Sequence, residues 1–371
     1  MSGMPGFEII TSSEVLPPVP RGDALAGLRF GSTFTHHMVT LRWSAEQGWH
    51  DGSVEPLKPL SFHPASAVLH YAQEIFEGMK AYRAPDGGAL LFRPNENARR
   101  FQRSAERLAM PILPEQAFVR AVEELVRIDH AWIPDGDGAL YLRPFMIADD
   151  VFLGVRPSST YLFAVIASPT GAYFKGGAKP IALWVSERHS RAGKGGTGAA
   201  KCGGNYAASL VAQAEAIEHG CDQVVFLDAA EGRWVEELGG MNIFFVMADG
   251  TLVTPPLGTI LPGITRDCVI TLARETGHAV EERPYSFDEW QADAASGRLG
   301  EVFVCGTAAV LAAVGTIRHA GGDLTINGGG CGPVTARLRD RLLAIQYGRA
   351  PDHHGWRHAV ALDRADLALH A

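Results

Sequence analysis

The sequence contains few cysteines and few lysines. Its five cysteines, at positions 202, 221, 268, 305 and 331, are odd in number and widely spaced, and no two of them form a CxxC pair. This spacing argues against a disulfide framework and against a cysteine-based zinc site, and it is typical of reduced thiols in the cytosol. Only six residues are lysine, the other basic residues being arginine. A lysine in an unusual setting is therefore informative.

Long apolar runs and an excess of positive charge are also absent. No stretch approaches 18 consecutive apolar residues, so no membrane span is expected. The N-terminal stretch MSGMPGFEIITSSEV lacks the basic and apolar segments of a signal peptide. The formal net charge of -8 disfavours a nucleic-acid partner, because phosphate binding requires clustered cations. We expect a soluble, cytoplasmic protein that binds neither nucleic acid nor membrane.

The length indicates two domains. A chain of 371 residues exceeds the size at which a single core stops growing. The stretch SPTGAYFKGGAKP, residues 168–180, is rich in glycine and proline and is the expected linker. This assigns residues 1–167 to a small N-terminal domain and residues 181–371 to a larger second domain.

Strand-like and helical segments are mixed along the chain, which indicates the α+β class. ALYLRPFMIA (139–148) and IALWVS (181–186) are typical of strands, and EQAFVRAVEELVRI (115–128) has helical periodicity. A further helix is predicted over 205–219, NYAASLVAQAEAIEH. One face of it carries Leu210, Val211, Ala214 and Ile217.

The stretch GGTGAAKCGGNYAASL, residues 195–210, sets Lys201 among glycines and alanines. Gly193, Gly195 and Gly198 spell GxGxxG, but the polar segment SERHSRAGK separates them from the preceding strand, which disfavours a dinucleotide-binding oxidoreductase. Two interpretations remain open from the residues alone. The segment is a mobile loop with an exposed lysine, or it encloses an amine whose neutral form is favoured by burial, as Schiff-base chemistry requires.

The same stretch, together with VLHYAQEIFEGMKAYR (68–83), resembles the branched-chain amino-acid aminotransferases of pyridoxal-phosphate fold type IV. LFRPNENARRFQRSAERLAMP, ALYLRPF, GAYFKGG, EELGGMNIFFV, LPGITRD and EVFVCGTAAV recur in that family in the same order. The resemblance covers most of residues 35–320. Two relatives of the same fold, D-amino-acid aminotransferases and aminodeoxychorismate lyases, are alternatives, but they lack the combination of HYAQEIFEGMKAYR with ALYLRPF.

The resemblance implies a two-domain fold type IV enzyme, with a smaller N-terminal α/β domain and a larger barrel-like C-terminal one. It implies pyridoxal 5′-phosphate bound covalently to Lys201, which also acts as the acid–base catalyst. Tyr206 would contact the phenolic oxygen of the cofactor. Glu237 would contact the ring nitrogen of the cofactor. Because neighbouring residues of a strand face opposite ways, we expect only one of Glu237 and its rival Glu236 to point inward. The implied phosphate contacts are Arg100, Thr307 and the backbone of Ile264 and Thr265.

The helix that starts at LPGIT independently suits a phosphate, because its first turn presents unpaired N–H groups and the positive end of the helix dipole. Arg99, adjacent to Arg100, should point elsewhere, because neighbouring residues of a helix do not share a face.

The resemblance further implies amino-group transfer between leucine, isoleucine or valine and 2-oxoglutarate, which yields glutamate, in a homodimer. The substrate pocket would be aromatic, and Arg143 would meet the distal carboxylate of glutamate. The α-carboxylate would meet backbone N–H groups at Thr307–Ala308. Leu153 and Val155 resemble a loop that reaches into the pocket of the partner subunit. The implied pocket aromatics are Tyr71, Phe76, Tyr141 and Tyr173.

Overall fold

Two nine-stranded sheets dominate the computed structural model, which describes residues 6–10, 30–171 and 179–362. The chain divides into a first unit, residues 1–173 with 344–371, and a second unit, residues 174–343. The division lies within the predicted linker at 168–180, although residues 168–170 still belong to a strand. Residues 344–371, which the sequence assigned to the second domain, join the first unit, and the first unit is therefore the longer of the two.

The strands are β1 Phe7–Ile9, β2 His37–Ser44, β3 Gly48–Pro56, β4 Glu74–Phe76, β5 Met79–Arg83, β6 Ala89–Phe92, β7 Ala139–Ala148, β8 Thr160–Thr170, β9 Ile181–Ser186, β10 Gln223–Leu227, β11 Val235–Leu238, β12 Asn242–Met247, β13 Leu252–Thr254, β14 Val280–Glu282, β15 Leu299–Gly306, β16 Val310–His319, β17 Gly322–Thr325 and β18 Arg357–Val360. The α-helices are α1 Ala67–Tyr71, α2 Pro94–Arg107, α3 Glu115–Ile128, α4 Gly203–Glu218, α5 Ile264–Glu275, α6 Phe287–Ser296 and α7 Pro333–Gln346. Short 3₁₀ turns occupy His130–Trp132 and Asn327–Gly329.

The sheet of the first unit has the order β1-β3-β2-β8-β7-β5-β6-β18, with β4 paired to β7. Its longest ladder joins β7 and β8 antiparallel, from Ala139 opposite Thr170 to Ala148 opposite Tyr161. Helices α2 and α3 are amphipathic, and their buried faces meet in a cluster of aromatic rings. The ring of Phe101 lies 5.3 Å from that of Phe118 and 5.6 Å from that of Phe163 on β8.

The C-terminal segment belongs to the first unit because it completes that unit's sheet. Strand β18 pairs antiparallel with β6, from Arg357 opposite Phe92 to Val360 opposite Ala89. Before it, the ring of Tyr347 packs edge-on at 4.8 Å from that of Tyr82, and its hydroxyl donates a 2.6 Å hydrogen bond to the carbonyl of Asp137. These contacts span more than two hundred residues, so that no local pattern in the sequence predicts them.

The sheet of the second unit has the order β11-β10-β9-β16-β15-β12-β13-β14, with β17 paired to β16. Strand β9 lies between β10 and β16 and runs parallel to both, whereas β12, β15 and β16 are antiparallel neighbours. A buried cluster that includes Phe245, Tyr285 and Trp290 packs on this sheet.

Helix α4 packs on its sheet through small residues. Ala212 and Ala216 are buried against Val224 and Phe226. The apolar face predicted from the sequence points to solvent instead. Its larger side chains are exposed: Leu210 67%, Val211 53% and Ile217 66%. In the described part of the chain, the helices are too short or too polar to cross a membrane.

Candidate active site

The loop between β9 and α4 holds Lys201 next to Tyr206, five positions further along the chain. The Nζ atom of Lys201 donates a 2.8 Å hydrogen bond to the hydroxyl of Tyr206, which lies in the first turn of α4. Both side chains are partly buried. Gly198, in the same loop, approaches the backbone so closely that an added Cβ would overlap the carbonyl oxygen of Thr259. The glycine at position 198 therefore permits the loop backbone to approach the carbonyl of Thr259. The amine of Lys201 is placed in contact with the phenol of Tyr206.

A buried carboxylate, Glu237 on β11, is held by three donors. Its Oε1 lies 2.9 Å from Nη1 of Arg191 and accepts a 2.8 Å hydrogen bond from the N–H of Leu261. Its Oε2 accepts a 3.0 Å hydrogen bond from Nδ2 of Asn242. Burial raises the pKa of Glu237 to about 7, while Arg191, the Leu261 N–H and Lys201 act in the opposite direction. The carboxylate is thus oriented but carries a desolvation penalty that a further cation would relieve.

Both neighbouring glutamates of β11 are buried, so burial does not distinguish the predicted Glu237 from its rival Glu236. Glu236 and Glu237 are 6% and 3% exposed. Every residue of β11 is buried because this strand is covered on both faces. The electrostatic influence of Lys201 acts on Glu237. The hydroxyl of Thr259 donates to Oε1 of Glu236, while Oε2 has no hydrogen-bond partner in the described residues. Burial raises the pKa of Glu236 as well.

The start of α5 lies beside Glu237. Asn242 bridges the two, since its Nδ2 also donates a 3.1 Å hydrogen bond to the carbonyl of Leu261, just before the helix. A Cβ at Gly263, the N-cap residue, would overlap Oδ1 of Asn242, so glycine is needed there. No side chain among the described residues caps this helix. Its first N–H groups, which include those of Ile264 and Thr265, therefore present a site for an anion.

Thr307 and Ala308 form the turn between β15 and β16. A Cβ at the preceding Gly306 would lie 3.2 Å from the side chain of Met241 and 3.4 Å from the carbonyl of Gly240, so the turn lies beside the segment that joins β11 to β12. Asn242 is opposite Cys305 in the β12–β15 ladder. The predicted residues of the second unit thus gather where β11, β12 and β15 meet.

Arg100, in the first unit, is fixed by a buried carboxylate that the sequence did not single out. Its Nε and Nη2 donate hydrogen bonds of 2.7 and 2.8 Å to the two oxygens of Glu77. Asn97 and the N–H of Gly78 also donate to Glu77, which is completely buried. Arg99 points elsewhere, as predicted, and pairs with Glu96 and Glu115 at the surface.

Three predicted pocket residues, Phe76, Tyr141 and Arg143, meet on one face of the first sheet. Nη2 of Arg143 donates a 3.1 Å hydrogen bond to the hydroxyl of Tyr141, and its guanidinium lies 4.7 Å from the ring centre of Phe76. Nε of Arg143 is buried without a hydrogen-bond partner in the described residues. A Cβ at Gly78 would overlap the hydroxyl of Tyr141. The cluster combines apolar surface with a cation whose buried Nε is available as a donor.

Tyr71 and Leu153 are brought together as well, since the hydroxyl of Tyr71 donates to the carbonyl of Leu153. Leu153 and Val155 are 66% and 89% exposed, and Tyr71 is 38% exposed. Tyr71 therefore associates with the exposed loop and not with Phe76 and Tyr141. Tyr173 lies outside the described residues.

Sequence reasoning missed Arg191 and Glu77, the ionic partners of Glu237 and Arg100. Arg191 is 4% exposed, and both of its Nη atoms lie 3.3 Å from the carbonyl of Gly198, in the lysine loop. It sits in the polar segment SERHSRAGK, which resembles an exposed loop. For Glu77 a signal did exist, because it is an acidic residue between the apolar strand EIF and a glycine.

Most of this chain is similar to one known class of enzymes. Residues 74–317 match the family model described as amino-transferase class IV. A probable branched-chain-amino-acid aminotransferase of Streptomyces coelicolor is 56% identical over 360 residues, which cover 96% of this chain and 99% of that protein. The branched-chain-amino-acid aminotransferase of Mycolicibacterium smegmatis is 52% identical over 361 residues, 96% of this chain and 98% of that protein.

Solved structures of branched-chain amino acid aminotransferases are also similar to this chain. The branched-chain amino acid aminotransferase of Escherichia coli matches with a TM-score of 0.74 at 30% identity, over 88% of this chain and 100% of that one. The branched-chain amino acid aminotransferase of Thermobaculum terrenum, in its PLP-form, matches with a TM-score of 0.71 at 26% identity, over 89% and 99% of the two chains. The chain belongs to the branched-chain-amino-acid aminotransferase family within the class IV aminotransferases.

Proposed function

We propose that this protein transfers the amino group between leucine, isoleucine or valine and 2-oxoglutarate, with pyridoxal 5′-phosphate bound to Lys201. The observation that carries the proposal is the contact between Lys201 and Tyr206, 2.8 Å apart, in a loop of small residues and within the electrostatic influence of the buried Glu237. An amine, a phenol and a buried carboxylate match the functional groups that this cofactor requires of a protein.

The second unit fits the cofactor on features of its own residues. The raised pKa of Glu237 favours a cationic partner such as a protonated ring nitrogen, and the uncapped start of α5 favours an anion such as a phosphate. Ile264 and Thr265 would hold that phosphate through their N–H groups, and Thr307 through its hydroxyl. Arg100 is proposed as a further phosphate contact, with its orientation set by Glu77. The bound cofactor would stabilise negative charge at the α-carbon of the substrate and carry the amino group between the two half-reactions.

The catalytic steps that fall to the protein are proton transfers and orientation. Lys201 would remove the proton from the α-carbon of the amino acid through Nζ and deliver a proton in the second part of each half-reaction. Tyr206 orients Nζ through their hydrogen bond. Glu237, itself held by Arg191 and Asn242, keeps a negative charge in place. Because these groups are fixed before substrate arrives, little reorganisation is needed during the reaction.

Substrate recognition must accept an apolar side chain and, in turn, a second carboxylate. We propose that Phe76, Tyr141 and Tyr173 contact the aliphatic chain, and that the N–H groups at Thr307–Ala308 hold the α-carboxylate. Arg143 has a buried Nε without a hydrogen-bond partner in the described residues, and this donor suits the distal carboxylate of glutamate. With an apolar substrate, the same guanidinium stays hydrogen-bonded to Tyr141.

We propose a homodimer, in which a second copy covers the exposed face of α4. Leu210, Val211, Ala214 and Ile217 recur at helical spacing and are all exposed, whereas the buried face uses small residues. The helix begins two residues after Lys201, so a partner on this face would adjoin the lysine loop. A symmetric dimer would bring the same face of both copies together. The exposed residues Tyr71, Leu153 and Val155 would contribute to the substrate pocket of the partner copy.

We also propose that the protein is located in the cytoplasm. Its five free cysteines are consistent with a reducing compartment.

The test uses purified protein loaded with pyridoxal 5′-phosphate. The wild type should show a visible band at roughly 410–430 nm that disappears when leucine is added and returns with 2-oxoglutarate. Lys201→Ala should lose this band and all turnover. Lys194→Ala, at an exposed lysine of the same loop, is the matched control and should keep both. Turnover of D-alanine in preference to leucine would favour a D-amino-acid aminotransferase instead.

A further inference from the structure

Asn205, in the first turn of α4, is hydrogen-bonded to the loop that carries Lys201. Its Nδ2 donates 2.8 Å hydrogen bonds to the carbonyls of Thr197 and Ala200. Its Oδ1 accepts a 2.7 Å hydrogen bond from the hydroxyl of Thr197. One amide side chain thus contacts the loop at two points, and Ala200 is the residue directly before Lys201.

The loop has few side chains of its own with which to fix its position. Gly195, Gly196, Gly198, Ala199 and Ala200 bring no polar side-chain atom. Two hydrogen bonds within the loop backbone, from the N–H of Gly196 to the carbonyl of Gly193 (2.9 Å) and from the N–H of Ala200 to the carbonyl of Thr197 (2.8 Å), are supplemented by neighbouring side chains. Arg191 holds the middle of the loop at Gly198, and Asn205 holds it at Thr197 and Ala200. Asn205 is 3% exposed, and water therefore does not compete for these hydrogen bonds.

The place of Asn205 in the chain gives these contacts a consequence for the site. Its neighbour on the helix is Tyr206, and its partner Ala200 is the neighbour of Lys201. The amide therefore joins the two backbone segments from which the amine and the phenol project. We propose that Asn205 is a positioning residue that sets the separation between Nζ of Lys201 and the hydroxyl of Tyr206. This inference rests on the proposed function.

The chemistry of the side chain indicates which variants separate positioning from packing. Asn205→Asp keeps the volume and the acceptor for Thr197, but it removes both N–H donors and places a carboxylate oxygen against two carbonyls. Asn205→Ala removes the contacts altogether. Ser209→Ala is the matched control, because Ser209 is buried on the same helix face one turn later and donates a single 3.0 Å hydrogen bond to the carbonyl of Asn205, with none to the loop.

The experiment measures two quantities on the full chain. One is the rate at which the cofactor-free protein captures pyridoxal 5′-phosphate, followed by the visible band and by borohydride fixation at Lys201. The other is kcat and KM for leucine in the loaded enzyme. Asn205→Asp and Asn205→Ala should lower the capture rate and kcat by about tenfold to hundredfold, as expected for misplacement by about 1 Å, with KM changed less. Ser209→Ala should lower the melting temperature without a comparable loss in either rate.

The proposal is overturned if both Asn205 variants capture the cofactor at the wild-type rate, or if Ser209→Ala loses as much as they do. If neither variant folds, Thr197→Val decides, because it removes only the donor to Oδ1. A loss of capture rate in Thr197→Val that is absent in Thr197→Ser supports the proposal, and an unchanged rate overturns it. A wild type with neither visible band nor transamination would refute the proposed function itself, which is a separate result.

Discussion

Nη1 of Arg191 lies 2.9 Å from Oε1 of Glu237, and both side chains are almost completely buried. The pair does not fully offset the desolvation of the carboxylate, since burial still raises the pKa of Glu237 to about 7. The same arginine contacts the carbonyl of Gly198. The lysine loop and the buried carboxylate are therefore held by one cation.

Glu237→Gln should change how stability depends on pH. Because the folded-state pKa is raised above the ordinary 4.5, the folded protein binds more protons than the unfolded chain between about pH 4.5 and 7. The cofactor-free wild type should therefore lose stability relative to the Gln variant as pH rises through this range, by on the order of 3 kcal/mol, with no further change above it. Thermal unfolding of both proteins from pH 5 to 8 measures the difference. Parallel curves would mean that Glu237 is ionised throughout.

Glu77→Gln should strongly destabilise the first unit. It leaves the guanidinium of Arg100 buried without its carboxylate, a change that costs about 3–5 kcal/mol for buried pairs. Glu96→Gln removes a carboxylate from the surface pair with Arg99 and should change the free energy of unfolding little. Urea unfolding of the two variants makes the comparison. Similar losses in both would show that the burial of the Glu77 pair has no energetic consequence.

Arg143→Ala should separate the two half-reactions. The distal carboxylate of glutamate would lose a charge-assisted hydrogen bond of about 1.5–3 kcal/mol, which corresponds to a loss of about tenfold to hundredfold in kcat/KM. The leucine half-reaction, whose substrate has no second carboxylate, serves as the internal control and should change much less. Single-turnover kinetics with each amino acid measures both. An equal loss with both substrates would assign Arg143 a structural role.

Gly78→Ala should displace Tyr141, because the added methyl group would overlap its hydroxyl. Overpacking of this kind costs about 1–3 kcal/mol. Tyr141→Phe removes the overlapping atom, so Gly78→Ala should be less harmful in that background than in the wild type. Gly204→Ala is the control, since a Cβ there meets no atom within 4 Å. Melting temperatures of the single and double variants form the cycle, and strict additivity would argue against the clash.

Lysine substitutions at Leu210 and Ile217 should shift the protein towards a monomer. Both side chains are about two-thirds exposed in the isolated chain, so a charge there leaves the fold intact but cannot be buried against a second copy. Ile112→Lys, at an exposed apolar residue of the first unit, is the control. Light scattering after size-exclusion chromatography gives the mass of each variant. If the variant with lysine at both positions is still a dimer, the interface does not lie on this face of α4.

Elements with a clear local pattern were predictable from the sequence. The bounds of β7, β9 and α3 coincide with the predicted segments, because alternation and helical periodicity are local properties. The family motifs likewise led to Lys201 and Tyr206, which the structure brings within hydrogen-bond distance.

What the sequence did not reveal depends on contacts between distant residues. The burial of both Glu236 and Glu237 follows from the packing around β11, and Glu77 meets Arg100 across 23 positions. Periodicity showed that α4 has an apolar face, but it does not tell which face packs on the sheet. In this structure the face with small residues packs on the sheet, because small side chains allow the helix to approach β9 and β10 closely.

The pairing of β18 with β6 has a consequence for how the protein forms during synthesis. All residues of the second unit are available once position 343 has left the ribosome, but the first unit lacks the strand at residues 357–360 until those residues emerge as well. Until then β6 presents an unpaired edge, the kind of surface on which chains aggregate. We therefore expect the unit that is translated later to complete its sheet earlier, and a chain that stops before residue 357 to be prone to association through β6.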